Sequence, residues 1–172
     1  MINSGVNTRE LILEILLEIE EEGEHSHIAI RNALSKYQFL PKQDRAFITR
    51  VCEGTLEYRI QIDYIINSFS KVTVDKMKPA IREILRSAVY QLKFMDRVPD
   101  SAVCNEAVKL AQKKGFYNLK PFVNGVLRTI AREIGKLELP SREEDEVRYL
   151  SVKYSMPEYL VEKWKAAYGV KT

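Results

Sequence analysis

The chain has 172 residues and a mass of 19.9 kDa, enough for one domain with a short appendage. Hydrophobic residues at 45% and charged residues at 30% are ordinary for a globular protein, and a domain of this length buries roughly 70% of its unfolded surface without needing staples. Seven Gly and six Pro exclude a many-turned β-sandwich or a low-complexity tract. No apolar run approaches the roughly 18 residues of a membrane span, and Met1 to Thr8 has no basic segment followed by an apolar core.

Helical periodicity runs through nearly the whole chain. Asn7 is an N-cap residue type ahead of Leu11, Ile12, Ile15, Leu16 and Ile19, and Gly23 ends that helix after an acidic run. Ser26 is placed to cap a short second helix carrying Ile30, Ala33 and Leu34. Pro41 suits a first turn, with Asp44 near the positive helix end. Phe47, Ile48, Val51, Cys52, Thr55 and Leu56 then form an amphipathic stripe. Ile62, Ile65, Ile66 and Phe69 give a fourth helix. Pro79 opens a fifth, with Ile81, Ile84, Leu85, Ala88, Val89 and Leu92. Val98-Pro99-Asp100-Ser101 reads as a turn and cap before a sixth, with Val103, Ala107, Leu110 and Ala111. Pro121 opens a seventh, with Phe122, Val123, Val126, Leu127, Ile130 and Ile134. Strand-type alternation is absent, and short connections point to an all-α bundle of about seven helices over 1–136. Residues 137–145, with Pro140, Ser141 and an acidic run, read as a linker. Val147, Leu150 and Tyr154, then Leu160, Val161, Trp164 and Tyr168, predict a two-helix extension over 146–172 outside the bundle pattern.

Catalytic signatures are scarce. The glycines are scattered, so no phosphate-cradling loop is evident. His25 and His27 share one acidic loop with no cysteine near them, too few ligands for a metal site. Cys52 falls on an apolar stripe and reads as a core thiol. Cys104 falls on a helix shoulder, and neither has a setting that lowers a thiol pKa. Two thiols far apart fit a reducing cytoplasm better than a disulfide framework. No cofactor is expected from these residues.

The distribution of charge is more informative than its net value of +3. Met1 to Leu40 holds 3 basic and 7 acidic residues, net −4, and Pro41 to Asp100 is net +3. Ser101 to Lys136 holds 7 basic and 2 acidic, net +5, and Leu137 to Thr172 is net −1. On the seventh helix, at 100° per residue, Arg132 falls about 40° and Lys136 about 80° from Arg128, while the apolar residues centre about 200° away. On the sixth, Lys109 and Lys113 point away from Val103, Ala107 and Leu110. Lys114 and Lys120 lie on the joining segment, where Tyr117 is a candidate to stack on an unpaired base and Phe116 reads as a core plug. Lys109, Lys113, Lys114, Tyr117, Lys120, Arg128, Arg132 and Lys136 therefore form a candidate RNA-binding surface. Arg82 and Arg86, on the shoulder of the fifth helix, read instead as partners of carboxylates between helices. Asp44-Arg45 reads as a cap plus an interhelical pair. Asn105, Glu106 and Asn124 are candidates to tie helices together by hydrogen bonds.

Several of these segments, in order from about Thr8 to Ile134, resemble the NusB-like all-helical fold: Asp44-Arg45-Ala46, Gly54-Thr55-Leu56, Tyr90-Gln91-Leu92, Asp96-Arg97-Val98-Pro99, Asn105-Glu106-Ala107-Val108 and Phe122-Val123-Asn124-Gly125-Val126-Leu127-Arg128. In detail they resemble its version at the N-terminus of Sun/Fmu-type small-subunit rRNA cytosine-C5 methyltransferases. The tail from Tyr149 to Trp164 is similar to the segment leading into the methyltransferase domain, where an antitermination NusB stops earlier. The antitermination members tend to carry a basic N-terminal arm; here Arg9 is the one basic residue in the first 30, against seven acids. The resemblance implies an RNA-positioning domain with structured RNA, small-subunit rRNA in particular, as partner. The alternative is an antitermination factor acting through RNA and a protein partner. Full enzymes of the methyltransferase type bind S-adenosylmethionine and attack cytosine with a cysteine. Their Gly-rich loop and Pro-Cys and Thr-Cys motifs have no counterpart in this sequence, where Val51 precedes Cys52 and Val103 precedes Cys104.

Overall fold

A computed structural model describes residues 7–23 and 26–169. Among these residues the fold is all-helical: α1 (Thr8–Glu22), α2 (Ser26–Ser35), α3 (Lys42–Glu57), α4 (Arg59–Phe69), α5 (Pro79–Phe94), α6 (Asp100–Lys113), α7 (Lys120–Glu133), α8 (Glu146–Tyr154) and α9 (Glu158–Tyr168), with 3-10 turns at Val74–Lys76, Tyr117–Leu119 and Ile134–Lys136. The seven predicted bundle helices and the two-helix extension are all present. No helix is long and apolar enough to cross a membrane among the described residues.

The helix ends follow local chemistry. The Asn7 side chain accepts a hydrogen bond from the Glu10 N–H, and Gly23 closes α1 in the left-handed region, at φ 64°. Pro79 starts α5, where its missing N–H costs nothing. At α3 the prediction needs correction. Pro41 occupies the N-cap position and offers no side-chain acceptor, and Asp44 lies inside the first turn. Arg45 makes no ion pair among the described residues, and its Nε is buried without a partner. The cap read for Ser26 rests on a side chain outside the described set, as does His25. His27 sits in the first turn of α2, exposed, with Nδ1 3.6 Å from Glu53.

α5 is the central element, packed against α1, α3, α4, α6 and α7. Its Ile81, Ile84, Leu85, Ala88 and Val89 are buried with Ile12, Leu16, Ile48, Ile62, Ile66, Val103, Val123, Leu127 and Ile130 in one continuous core. α3 and α5 approach closely at Gly54, where a Cβ would stand 2.2 Å from two carbons of the Tyr90 ring, so the backbone there admits no side chain unless that ring moves. Cys104, read as a shoulder residue, is fully buried.

α5 also carries buried charge. Arg86 Nε and Nη2 donate to the two oxygens of Asp63 on α4 at 2.7 and 2.8 Å, and Nη1 donates to Glu83 at 2.7 Å. Burial works against the Arg86 cation, but Asp63 and Glu83 outweigh it and hold its pKa above the ordinary value. Arg82 pairs with Glu20 of α1 and donates to the carbonyls of Val74 and Met77. The predicted pairing of both arginines is observed.

The extension is tied to the bundle. α8 packs on α4, and the amide of Gln61 clasps it: Nε2 donates to the carbonyls of Val152 and Lys153 at 3.2 and 3.1 Å while Oε1 accepts from Lys93. Those carbonyls belong to the last turn of α8, which needs outside donors. Ser155, at φ 52°, ends α8 in the left-handed region. α9 packs on α8 and buries Val161, but leaves Tyr159, Leu160, Trp164 and Tyr168 exposed.

Candidate nucleic-acid interface

α6 and α7 lie side by side, joined by the Lys114–Leu119 segment, because Val103, Ala107, Leu110 and Ala111 on one helix and Val123, Val126, Leu127 and Ile130 on the other are drawn into the same core. Their opposite faces carry the candidate residues. Lys109, Lys113, Tyr117, Arg128, Arg132 and Lys136 are exposed, and Lys114 and Lys120 are half-buried. The projected stripe of α7 holds for Arg128 and Arg132. Lys136 falls in a 3-10 turn, so its direction departs from the α-helical projection.

The partners of these cations divide them into two kinds. Lys113 pairs with Glu10 of α1, and Lys114 lies 3.6 Å from Glu10 and 3.5 Å from Glu14. These contacts latch α6 to α1, and hydrogen bonding to Lys113 holds the Glu10 carboxyl below its ordinary pKa. Lys109 is 3.4 Å from Glu106 one turn away, and Glu133 lies 3.1 Å from Arg132 and 3.6 Å from Lys136. These three pairs are exposed, where solvent screening leaves each worth little.

Arg128 and Lys120 have neutral partners. Arg128 Nε donates to Asn124 Oδ1 at 3.2 Å and Nη2 donates to Asn105 Oδ1 at 2.8 Å, so the guanidinium bridges α7 to α6. Asn105 and Asn124 are exposed rather than buried and join the two helices only through Arg128, while Glu106 meets Lys109 on its own helix. Lys120 Nζ donates to Gln112 Oε1 at 2.7 Å and stands 4.8 Å from the centre of the Tyr117 ring. It opens α7, where the positive end of the helix adds to its field. Tyr117 is 64% exposed, with its ring available for stacking, while Phe116 packs against the core as expected. Gln112 escaped the sequence reading; its spacing of eight from Lys120 crosses a helix boundary and gives no periodic signal.

Neither thiol is suited to nucleophilic chemistry. Burial pushes the pKa of Cys52 and of Cys104 up, with Glu53 and Glu83 adding to the effect at Cys52. Among the described residues no group of three or more His, Cys, Asp and Glu gathers to hold a metal ion.

A helical bundle centred on α5, with cations gathered on its α6–α7 face, defines the class of fold to which the chain belongs. The sequence matches the profile of the NusB family over residues 6–132, and the chain belongs to that family. It is 35% identical over 165 residues to the probable ribosomal RNA small subunit methyltransferase B of Bacillus subtilis, a match covering 95% of this chain and 36% of that protein. It is 32% identical over 127 residues to the transcription antitermination protein NusB of Bacillus velezensis, covering 73% of this chain and 94% of that one. The chain thus spans little more than a third of the methyltransferase-type relative. Among solved structures, NusB of T. maritima superimposes with a TM-score of 0.65 at 26% identity, over 73% of this chain and 89% of that chain. A NusB in complex with NusE and dsRNA superimposes at 0.67 and 22% identity, over 73% and 93%. The protein PH0851 superimposes at 0.70 and 20% identity, over 95% of this chain and 36% of that chain.

Proposed function

We propose that this chain is the RNA-docking unit of a small-subunit rRNA methyltransferase of the B type. It holds a structured segment of small-subunit rRNA on the α6–α7 face in the cytoplasm while bond-making is left to the rest of a longer polypeptide. The observation that carries the reading is the concentration of exposed cations on that face, beside an exposed aromatic ring. Arg128 and Lys120, whose partners are neutral, supply the main phosphate contacts, Lys109, Lys113, Lys114, Arg132 and Lys136 are carboxylate-paired cations that line the same face, and Tyr117 supplies a stacking surface. Recognition is by shape and backbone charge, because the major groove of A-form RNA is too narrow for a helix.

Two observations favour the methyltransferase side over antitermination. The match to the methyltransferase-type relative takes in 95% of the chain, against 73% for the antitermination relative from Bacillus velezensis. The extension also exposes Trp164 and Tyr168, whose ring centres stand 6.2 Å apart, the kind of aromatic surface that marks an interaction site, in keeping with a lead-in to a further domain. Residues 1–136 are then the RNA-docking bundle, 137–145 the linker and 146–172 the lead-in.

The test is binding of the chain to small-subunit rRNA hairpins across a salt series. Wild type should favour hairpins over unstructured RNA. Reversing Arg128 and Arg132 to Glu should weaken binding and flatten the salt dependence by about one log unit per log unit of salt for each lost contact. Unchanged affinity and slope would remove the surface assignment. Preference for a linear RNA, with a stoichiometric protein partner co-purifying, would move the reading to antitermination.

A further inference from the structure

The seven cations of the α6–α7 face are unequal, and what distinguishes them is the chemistry of their partners. Lys109, Lys113, Lys114, Arg132 and Lys136 each lie within 3.6 Å of a carboxylate. An RNA phosphate must compete with that carboxylate, and exchanging one anion for another yields little. Arg128 and Lys120 rest on amide oxygens, which align a cation without neutralising it.

Resting on the RNA-docking reading above, we infer that Asn105 and Asn124 are positioning residues that hold Arg128 as a pre-oriented, uncompensated phosphate-binding fork. Gln112 does the same, more loosely, for Lys120. A guanidinium has five N–H donors. Asn124 occupies Nε and Asn105 occupies one N–H of Nη2, from two different helices, so the plane of the group is fixed. Among the described residues both Nη1 donors and the second Nη2 donor stay open, the geometry that a phosphate takes bidentately. The side chain is exposed, so an unheld arginine there would sample many rotamers and lose that freedom on binding. Asn in place of Asp at both positions is what keeps the charge available. Lys120 repeats the pattern eight residues earlier on α7, about 12 Å along the helix, so two amide-held cations stand within reach of one RNA backbone.

The experiment measures binding of a small-subunit rRNA hairpin over a salt series by fluorescence anisotropy, on the full chain. Its fold is checked by circular dichroism and melting, which exposed Asn substitutions should leave unchanged. Asn105→Ala and Asn124→Ala should each weaken binding roughly threefold to tenfold at fixed salt while leaving the salt slope unaltered, since no charge is removed. In an Arg128→Lys background, which keeps the charge and loses the fork, the same Ala substitutions should have no further effect. Asn105→Asp should lower the slope by about one, as Arg128→Glu does, because a carboxylate now neutralises the guanidinium. If Arg128→Glu weakens binding but the three Asn variants bind as wild type, the positioning role is wrong and the docking surface stands. If Arg128→Glu itself binds as wild type with the wild-type slope, both fall.

Discussion

α5 and α7 each present an arginine to a neighbouring helix, and the two are held by opposite means. Arg86 is buried and gripped by two carboxylates, Asp63 and Glu83; Arg128 is exposed and gripped by two amides, Asn105 and Asn124. The carboxylates consume the Arg86 charge to satisfy the interior, where an unpaired ion would be costly. The amides orient the Arg128 charge and leave it to act on solvent or a ligand. Counting basic residues cannot separate these cases. The partner decides whether a cation belongs to the fold or to the surface chemistry.

The largest expected effect tests the structural half of this contrast. Arg86→Ala leaves the buried Glu83 and the half-buried Asp63 without their counter-ion, and should cost about 3 kcal/mol of stability. Arg128→Ala should stay within about 0.5 kcal/mol of wild type. Thermal or urea unfolding of the two variants side by side makes the comparison. Equal effects would abolish the distinction.

A smaller effect concerns the latch between α1 and α6. The Glu10 carboxyl has its pKa lowered in the folded chain from an ordinary 4.5, chiefly by its hydrogen bond to Lys113. A lowered pKa means that the folded state releases the proton more readily than the unfolded state. The latch therefore contributes stability above pH 4.5 and loses it as pH falls through the depressed folded value. Glu10→Gln should melt slightly lower than wild type near neutrality, and the two melting curves should converge on acidification. A constant gap from pH 7 to pH 3 would show that Glu10 acts through packing rather than charge.

The apolar periodicity of the chain made the fold legible. α5 and α7 have unbroken apolar stripes, so their existence, their buried faces and their proline starts followed directly from spacing. The pairing of Arg82 and Arg86 was also readable, because both lie on the shoulder of a buried helix. Asp44-Arg45 misled, since two adjacent charges at a helix start suggest a cap, while the chain had already placed a proline at that position. On the basic face, projection found which residues point outward but not what they touch. Lys113 meets Glu10 across 103 positions of sequence, and Arg128 meets Asn105 across 23. No local pattern carries such pairings. The Gln61 clasp on α8 was invisible for the same reason, spanning 91 and 92 positions to the carbonyls it holds.

The central claim is that RNA lies on the α6–α7 face, and ultraviolet crosslinking of the chain to a small-subunit rRNA hairpin, with the crosslinked peptides identified by mass spectrometry, addresses it most directly. The account predicts crosslinks concentrated between residues 105 and 136, with Tyr117 prominent and the signal lost at high salt. Crosslinks confined to the acidic α1–α2 side or to the aromatic rings of α9, with none in that interval, would contradict it.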